Sequence, residues 1–175
     1  MYNIIMAEPL LVSTYKEITD TEITKLINCE KIIVSNPSPN KKSSGYHKET
    51  GIDLESISEQ TKFSMFIREH TLLTEHFSIG LIYWPDSESP IRLVRYNGNH
   101  GIHVNKLTGE KLCDTVHIHK LTRKALDAGI CGDNHAEATD KYTSLNEALT
   151  EFFVDLNITN YLEYFPELQQ QELFH

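Results

Sequence analysis

Cysteine is too scarce in this 175-residue chain for a disulfide framework. Cys29, Cys113 and Cys131 are odd in number and widely scattered, which fits reduced intracellular thiols. No CxxC pair occurs, so a zinc ribbon is excluded. No apolar run approaches the length needed to span a bilayer. The opening MYNIIMAEPLLVSTYKE lacks the basic start and small-residue cleavage site of a secretory signal. The expectation is a cytoplasmic protein with no membrane partner. Positive charge is also scarce: 16 Lys and Arg stand against 25 Asp and Glu, a formal net charge of −9. Proteins that grip nucleic acid by its phosphates usually present a basic face, so bulk charge argues against non-specific binding. Small clusters at Lys41-Lys42 and from His119-Lys120 to Arg123-Lys124 leave room for a local basic cleft. HExxH, Walker A and GxGxxG are absent, as is any internal repeat. His135-Ala136-Glu137 lacks the PCxxC of a zinc deaminase, and Ser43-Ser44-Gly45 is a loop rather than a nucleophile elbow.

What is present reads as strands followed by a helix. Thr19-Asp20-Thr21-Glu22 is a capping box, and Ile23, Leu26 and Ile27 continue at helical spacing to about Glu30. The stretch from Ser35 to Gly51, rich in Pro, Ser, Asn and Lys, predicts a mobile flap. Lys62 to Glu69 alternates like a half-buried strand, and Phe77 to Trp84 is a more central one. Pro85 to Pro90 is a turn by composition. Ile91 to Gly98 is the next strand, ending in the Asn97-Gly98 turn signal. Gly101 to Leu112 suggests a short hairpin arm closing at Thr108-Gly109, and Asp114 to Thr122 a last strand. A second capping box, Ser144-Leu145-Asn146-Glu147, opens a helix. Its apolar stripe is Leu145, Ala148, Leu149, Phe152, Phe153 and Leu156. The tail, about residues 159–175, suggests a further short helix. Residues 1–175 therefore read as one α+β domain, a small antiparallel sheet with an amphipathic C-terminal helix packed on one face.

Chemistry concentrates between Val94 and Thr122, which holds four of the nine histidines. His117 and His119 lie two apart on a strand and share a face, leaving Val116 and Ile118 for the core. At about 7 Å between Cβ atoms, the two rings suit chelation with a third ligand from elsewhere. They equally suit an acid/base pair, since imidazole titrates near pH 6.5, or a solvated strand face with no reactive role. His103 and Asn105 share a face of the preceding arm. The expectation is that His103, His117 and His119 converge on one solvent-accessible face with Asn105 close by. Arg95 falls with Ile91 and Leu93 on an apolar face, where a guanidinium needs an anion; Arg68 poses the same question. No Cys or carboxylate sits at a ligand spacing nearby, so metal-free chemistry is preferred and no cofactor is expected.

The order LVRYNG, HVN, TGEKL, VHIH and SLNEALTEFFVDLNI resembles a bacterial domain family of unknown function. Its members carry LVRLD, PHxNPDG, PHLHxY and a closing helix ending near LEDFMRYCNI. ITDTEITKLINCEK is similar to that family's opening LTxEEFExLLxxEK, and the likeness spans about Ile18 to Ile158. On this match His103, Asn105, Thr108, Gly109, His117 and His119 take motif positions and Arg95 the strand arginine. Ile102 and Val116 stand where the family has prolines. The HxH pair and final helix are also similar to TumE-like toxins of toxin–antitoxin pairs, thought of as small nucleases. The resemblance implies a toxin or defence-type endoribonuclease working without metal. His117, His119, His103 and Arg95 would be catalytic, Asn105, Lys120, Arg123 and Lys124 would hold RNA, and a cognate antitoxin would be a partner. The net charge supports a contrary reading: a non-catalytic acidic binding protein, antitoxin-like or an inhibitor of a nucleic-acid-binding protein.

Overall fold

The computed structural model describes residues 17–39, 45–85, 89–130 and 135–170. Helix α1 (Asp20–Asn28) begins at the expected capping box, with Glu22 accepting the Thr19 N–H at 2.7 Å. Six strands follow: β1 (Ile32–Ile33), β2 (Ser38–Pro39), β3 (His47–Ser56), β4 (Thr61–His70), β5 (Phe77–Trp84) and β6 (Ile91–Asn97). The chain then leaves the sheet for a hairpin, β7 (Ile102–Val104) and β8 (Lys111–Cys113). It returns through β9 (His117–Lys120), α2 (Arg123–Asp127), β10 (Ala136–Ala138) and α3 (Leu145–Asp155). Beyond α3, the expected tail helix is two 3-10 segments, Tyr161–Glu163 and Pro166–Gln170. Among the described residues no helix is long and apolar enough to cross a membrane.

The main sheet runs β1-β3-β4-β5-β6-β9-β10, with β2 also on β3, and its strands pair antiparallel. This is the α+β class expected, with α3 packed on one face. Two expectations need correction. The flap from Ser35 to Gly51 is partly sheet: Ser38 and Pro39 pair with Gly51 and Thr50, and β3 begins at His47. Only one face of β3 packs on the core, so its other positions are free to be polar, which hid the strand. Residues 40–44 of that flap lie outside the described residues. Asp114 to Thr122 is not the last strand either, because β10 pairs with β9 at the sheet's edge.

The sheet has two unlike faces. Ile52, Leu54, Phe63, Met65, Ile79, Leu81 and Tyr96 are buried with Ile23 and Leu26 of α1 and with Leu149, Phe152 and Phe153 of α3. The opposite face is polar. Strict alternation would place Arg95 with Ile91, but the register shifts. Leu81 pairs with Val94 and Ile82 with Arg92, so Leu93 is an extra residue on β6. A bulge reverses side-chain parity beyond it. Arg95 thus lies on the polar face, not on the apolar face expected from the sequence.

Two polar contacts tie the helices to this frame. Lys31 is fully buried, and its ammonium donates to the carbonyls of Ile27 at 2.8 Å, Cys29 at 2.7 Å and Leu156 at 3.1 Å. It thereby satisfies orphan carbonyls at the ends of α1 and α3. Burial pulls its pKa below the usual lysine value. On α3, Asp155 accepts from Tyr96 Oη at 2.6 Å and from Lys141 Nζ at 2.6 Å.

Leu149 is 5% exposed within the core, so Leu149→Ala should cost about 2–5 kcal/mol in denaturant unfolding, a core truncation. A loss within the range of a surface substitution, below about 0.5 kcal/mol, would contradict α3 packing on the sheet. A second prediction concerns acid. Burial pushes the Asp155 carboxyl up, but its hydrogen bonds from Lys141 and Tyr96 outweigh this and hold it below its ordinary value. The stabilisation is therefore present above the unfolded carboxyl value near pH 4 and is lost as pH falls through the lower folded value. Asp155→Asn should flatten the acid limb of stability measured by urea unfolding across pH. An unchanged acid limb would contradict this assignment.

Candidate functional site

Cross-strand neighbours on one face of a sheet bring their side chains together, and three rows of the polar face build the site. Glu49, Arg68, Ser78, Asn97 and His117 form the first row across β3, β4, β5, β6 and β9. Gly51, Phe66, Gly80, Arg95 and His119 form the second. Asp53, Ser64, Ile82 and Arg92 form the third. The rows run from an open groove at one side of the sheet into a histidine cluster at the other.

The groove encloses about 750 Å³, and Phe66, Arg68, Trp84, Arg92 and Arg95 are among its lining residues. Its floor depends on Gly80. A Cβ there would come within 2.2 Å of the Phe66 ring, so only glycine lets that ring lie over the strand. Arg92 stands over the same ring, 5.6 Å from its centroid. Trp84, 45% exposed, donates its indole N–H to Ser64 Oγ at 2.7 Å. The anion that Arg68 requires is Glu49, which accepts from its Nε at 2.9 Å.

At the far end the imidazoles pack ring on ring. His103 lies 5.3 Å from His117 and 4.7 Å from His119, and His117 lies 5.0 Å from His119. His100 adds a fourth ring 5.3 Å from His117. Hydrogen bonds fix the tautomers. His117 Nδ1 is 2.7 Å from the Thr115 carbonyl, which can only accept, so Nδ1 carries the proton. Its Nε2 then accepts from Asn97 Nδ2 at 3.1 Å. His119 Nε2 faces two donors, Asn97 Nδ2 at 3.0 Å and Arg95 Nη2 at 3.2 Å, so it too presents a lone pair. Asn97 is oriented for this because its Oδ1 accepts from Ser78 Oγ. Tyr142 braces the backbone beneath, its hydroxyl 3.1 Å from the carbonyls of both Asn97 and His117. Burial, reinforced by His100, His103 and Arg95 and opposed by the Thr115 bond, pulls His117 down to about 4. That ring is neutral at pH 7.

His103 arrives by a different route from the one expected. β7 pairs with β8 rather than with β9, so convergence comes from a hairpin set against the sheet and not from adjacent strands. Asn105 ties that hairpin down. Its Oδ1 accepts the Ala136 N–H at 2.7 Å and its Nδ2 donates to the Ala136 carbonyl at 2.8 Å. The amide thus does a neighbouring strand's work for Ala136 of β10. Asn105 Oδ1 also takes the Nε2–H of His103 at 3.2 Å, leaving Nδ1 of that ring as its lone pair.

The expected convergence of His103, His117 and His119 is present, with Asn105 beside it, but the face is not solvent-accessible there. His117 is 2% exposed and His119 1%, and only His103 is half-buried. The other residues assigned to RNA from the sequence lie elsewhere. Lys120 follows His119 directly on β9, so alternation turns it to the opposite face, where it lines a hollow with Lys141 and Asp155. Arg123 is engaged by Asp127 at 2.6 Å and by the Ile18 carbonyl at 3.3 Å, and its backbone N–H by Asp20 at 2.7 Å. Lys124 is exposed on the same short helix. Asn97 was missed because Asn-Gly reads as a turn. In fact Asn97 ends the strand, and Gly98 admits a close backbone approach, a Cβ there meeting the Glu75 carbonyl oxygen at 2.0 Å.

No family model, curated protein or solved structure matches this chain.

Asn105→Ala should cost about 1–3 kcal/mol, the penalty of leaving buried partners unsatisfied, and should speed amide exchange at Ala136. Protection at Ala136 equal to wild type would show that the hairpin is held by other means.

Proposed function

We propose that the protein is a toxin or defence-type endoribonuclease that lays a single RNA strand along the polar sheet face and cleaves it at the histidine cluster. The observation that carries this reading is the placement of Arg95. It lines the groove and sets Nη2 3.2 Å from His119 Nε2, so the strand's path and the reacting groups meet at one guanidinium. Phe66 and Trp84 offer ring faces on which bases stack, and Arg92 and Arg95 take phosphates. Once Asn97 and Arg95 turn aside and the hairpin carrying His103 opens the cluster, His119 Nε2 accepts the 2′-hydroxyl proton as that oxygen bonds to phosphorus. His103, at the half-buried rim, is the ring that passes a proton to the departing 5′ oxygen. Arg95 stabilises the charge that builds on the phosphorane. The net charge of −9 favours the second reading, a non-catalytic acidic partner of another protein.

One assay separates the two. Wild-type protein should cleave single-stranded RNA without added metal, and Arg95→Ala and His103→Ala should each slow it by about 10²–10³-fold. Both residues are only half-buried, so these variants should fold. No cleavage above background, or cleavage unaffected by either substitution, would overturn the nuclease reading in favour of the acidic binding protein.

A further inference from the structure

The imidazoles of His103, His117 and His119 form a cluster of three ring nitrogens. One ring nitrogen from each lies within 4.8 Å of the other two. Three nitrogens each about 2.0–2.1 Å from a shared ion sit about 3.4 Å apart, a closure that small ring rotations supply. Two ring nitrogens are anchored by hydrogen bonds: His117 Nδ1 on the Thr115 carbonyl and His103 Nε2 on Asn105 Oδ1. Such outward hydrogen bonds fix the tautomer and aim of metal-bound histidines.

We propose that His103, His117 and His119 bind one late first-row divalent cation of the zinc class. An all-imidazole set suits Zn²⁺, Co²⁺, Ni²⁺ or Cu²⁺, and without carboxylates it does not suit Mg²⁺ or Ca²⁺. Asn97 and Arg95 account for the metal-free arrangement, since Nδ2 reaches both Nε2 atoms and Nη2 that of His119, and both donors turn away when an ion takes these lone pairs. Turning the Asn97 amide over removes its N–H donors from the two lone pairs. Ser78 Oγ, which can donate or accept, keeps its bond in either orientation. The three imidazoles leave a fourth position open, the pattern of a reactive rather than a purely structural zinc site.

This inference concerns the same site as the cleavage reading, but occupancy does not depend on activity. The ion takes the His119 lone pair that the reading above assigns to proton transfer, so loading and metal-free cleavage oppose each other. The test is titration of chelator-treated full-length protein with Co²⁺ and then Zn²⁺. It is followed by visible absorption and calorimetry in the absence of RNA. One equivalent of Co²⁺ should bind with a tetrahedral-type visible spectrum and be displaced by Zn²⁺. His103→Ala, on the half-buried hairpin, should weaken binding at least about 100-fold. His47→Ala/His70→Ala, at the ring pair on β3 and β4, should leave it unchanged. Absence of a saturable one-to-one site would overturn the inference, and so would binding lost in the His47/His70 variant but kept in His103→Ala. Protein that binds Co²⁺ yet cleaves no RNA overturns the cleavage reading alone; protein that cleaves RNA yet binds no Co²⁺ overturns this inference alone.

Discussion

Leu93 inserts one extra residue into β6 where it pairs with β5, and the side-chain register of the sheet beyond it follows from that insertion. Strands show their two faces with a period of two, so a single added residue exchanges the faces. With it, Val94 and Tyr96 turn toward α3 while Arg95 and Asn97 turn away. Because β9 pairs with the part of β6 beyond the bulge, His117 and His119 inherit that direction. An unbulged β6 in the register set by Ile91 would send Arg95 and Asn97 into the apolar layer. The histidines would lose both of their donor partners.

Burying imidazoles on a polar sheet face creates a second constraint, because every ring nitrogen withdrawn from water must find a partner. The row from Ser78 through Asn97 to His117 meets it at the two Nε2 atoms by passing donors in one direction. The serine hydroxyl donates to the amide oxygen, and the amide nitrogen donates to two rings. The hairpin meets it from the other side through Asn105. Tyr142 links the two faces, stacking on Tyr96 in the core while its hydroxyl holds the carbonyls behind Asn97 and His117. The packing of α3 and the geometry of the histidines are therefore coupled through a few residues.

Much of this was legible in the chain, and the parts that were not have definite physical causes. Both capping boxes, the apolar stripe of α3 and the bounds of β5 follow from local rules, and local rules hold wherever nothing distant overrides them. The pairing of His117 with His119 on one face follows from periodicity alone. The bulge at Leu93 does not, because neighbouring apolar residues satisfy either parity. β3 was hidden because its uncovered face admits Glu49, Asp53 and Glu55. Asn97 was read by its neighbour Gly98 rather than by its strand. Lys120 is the instructive miss: the rule that put two histidines on one face also excluded the residue between that face and the next turn. The depth of the cluster was not legible, since it depends on a hairpin that packs through one buried asparagine.

Among the described residues no carboxylate lies at hydrogen-bonding distance of Lys31 Nζ; carbonyl oxygens at the ends of two helices hold it. Mobile ions screen exposed charges over a Debye length of roughly 8–10 Å at 0.1–0.15 M, but they cannot enter that site. Ionic strength therefore acts unequally on this fold. Salt loosens the partly exposed pairing of Lys141 with Asp155 at the outer side of α3. The joint between the first helix and the last is left as firm in brine as in dilute buffer.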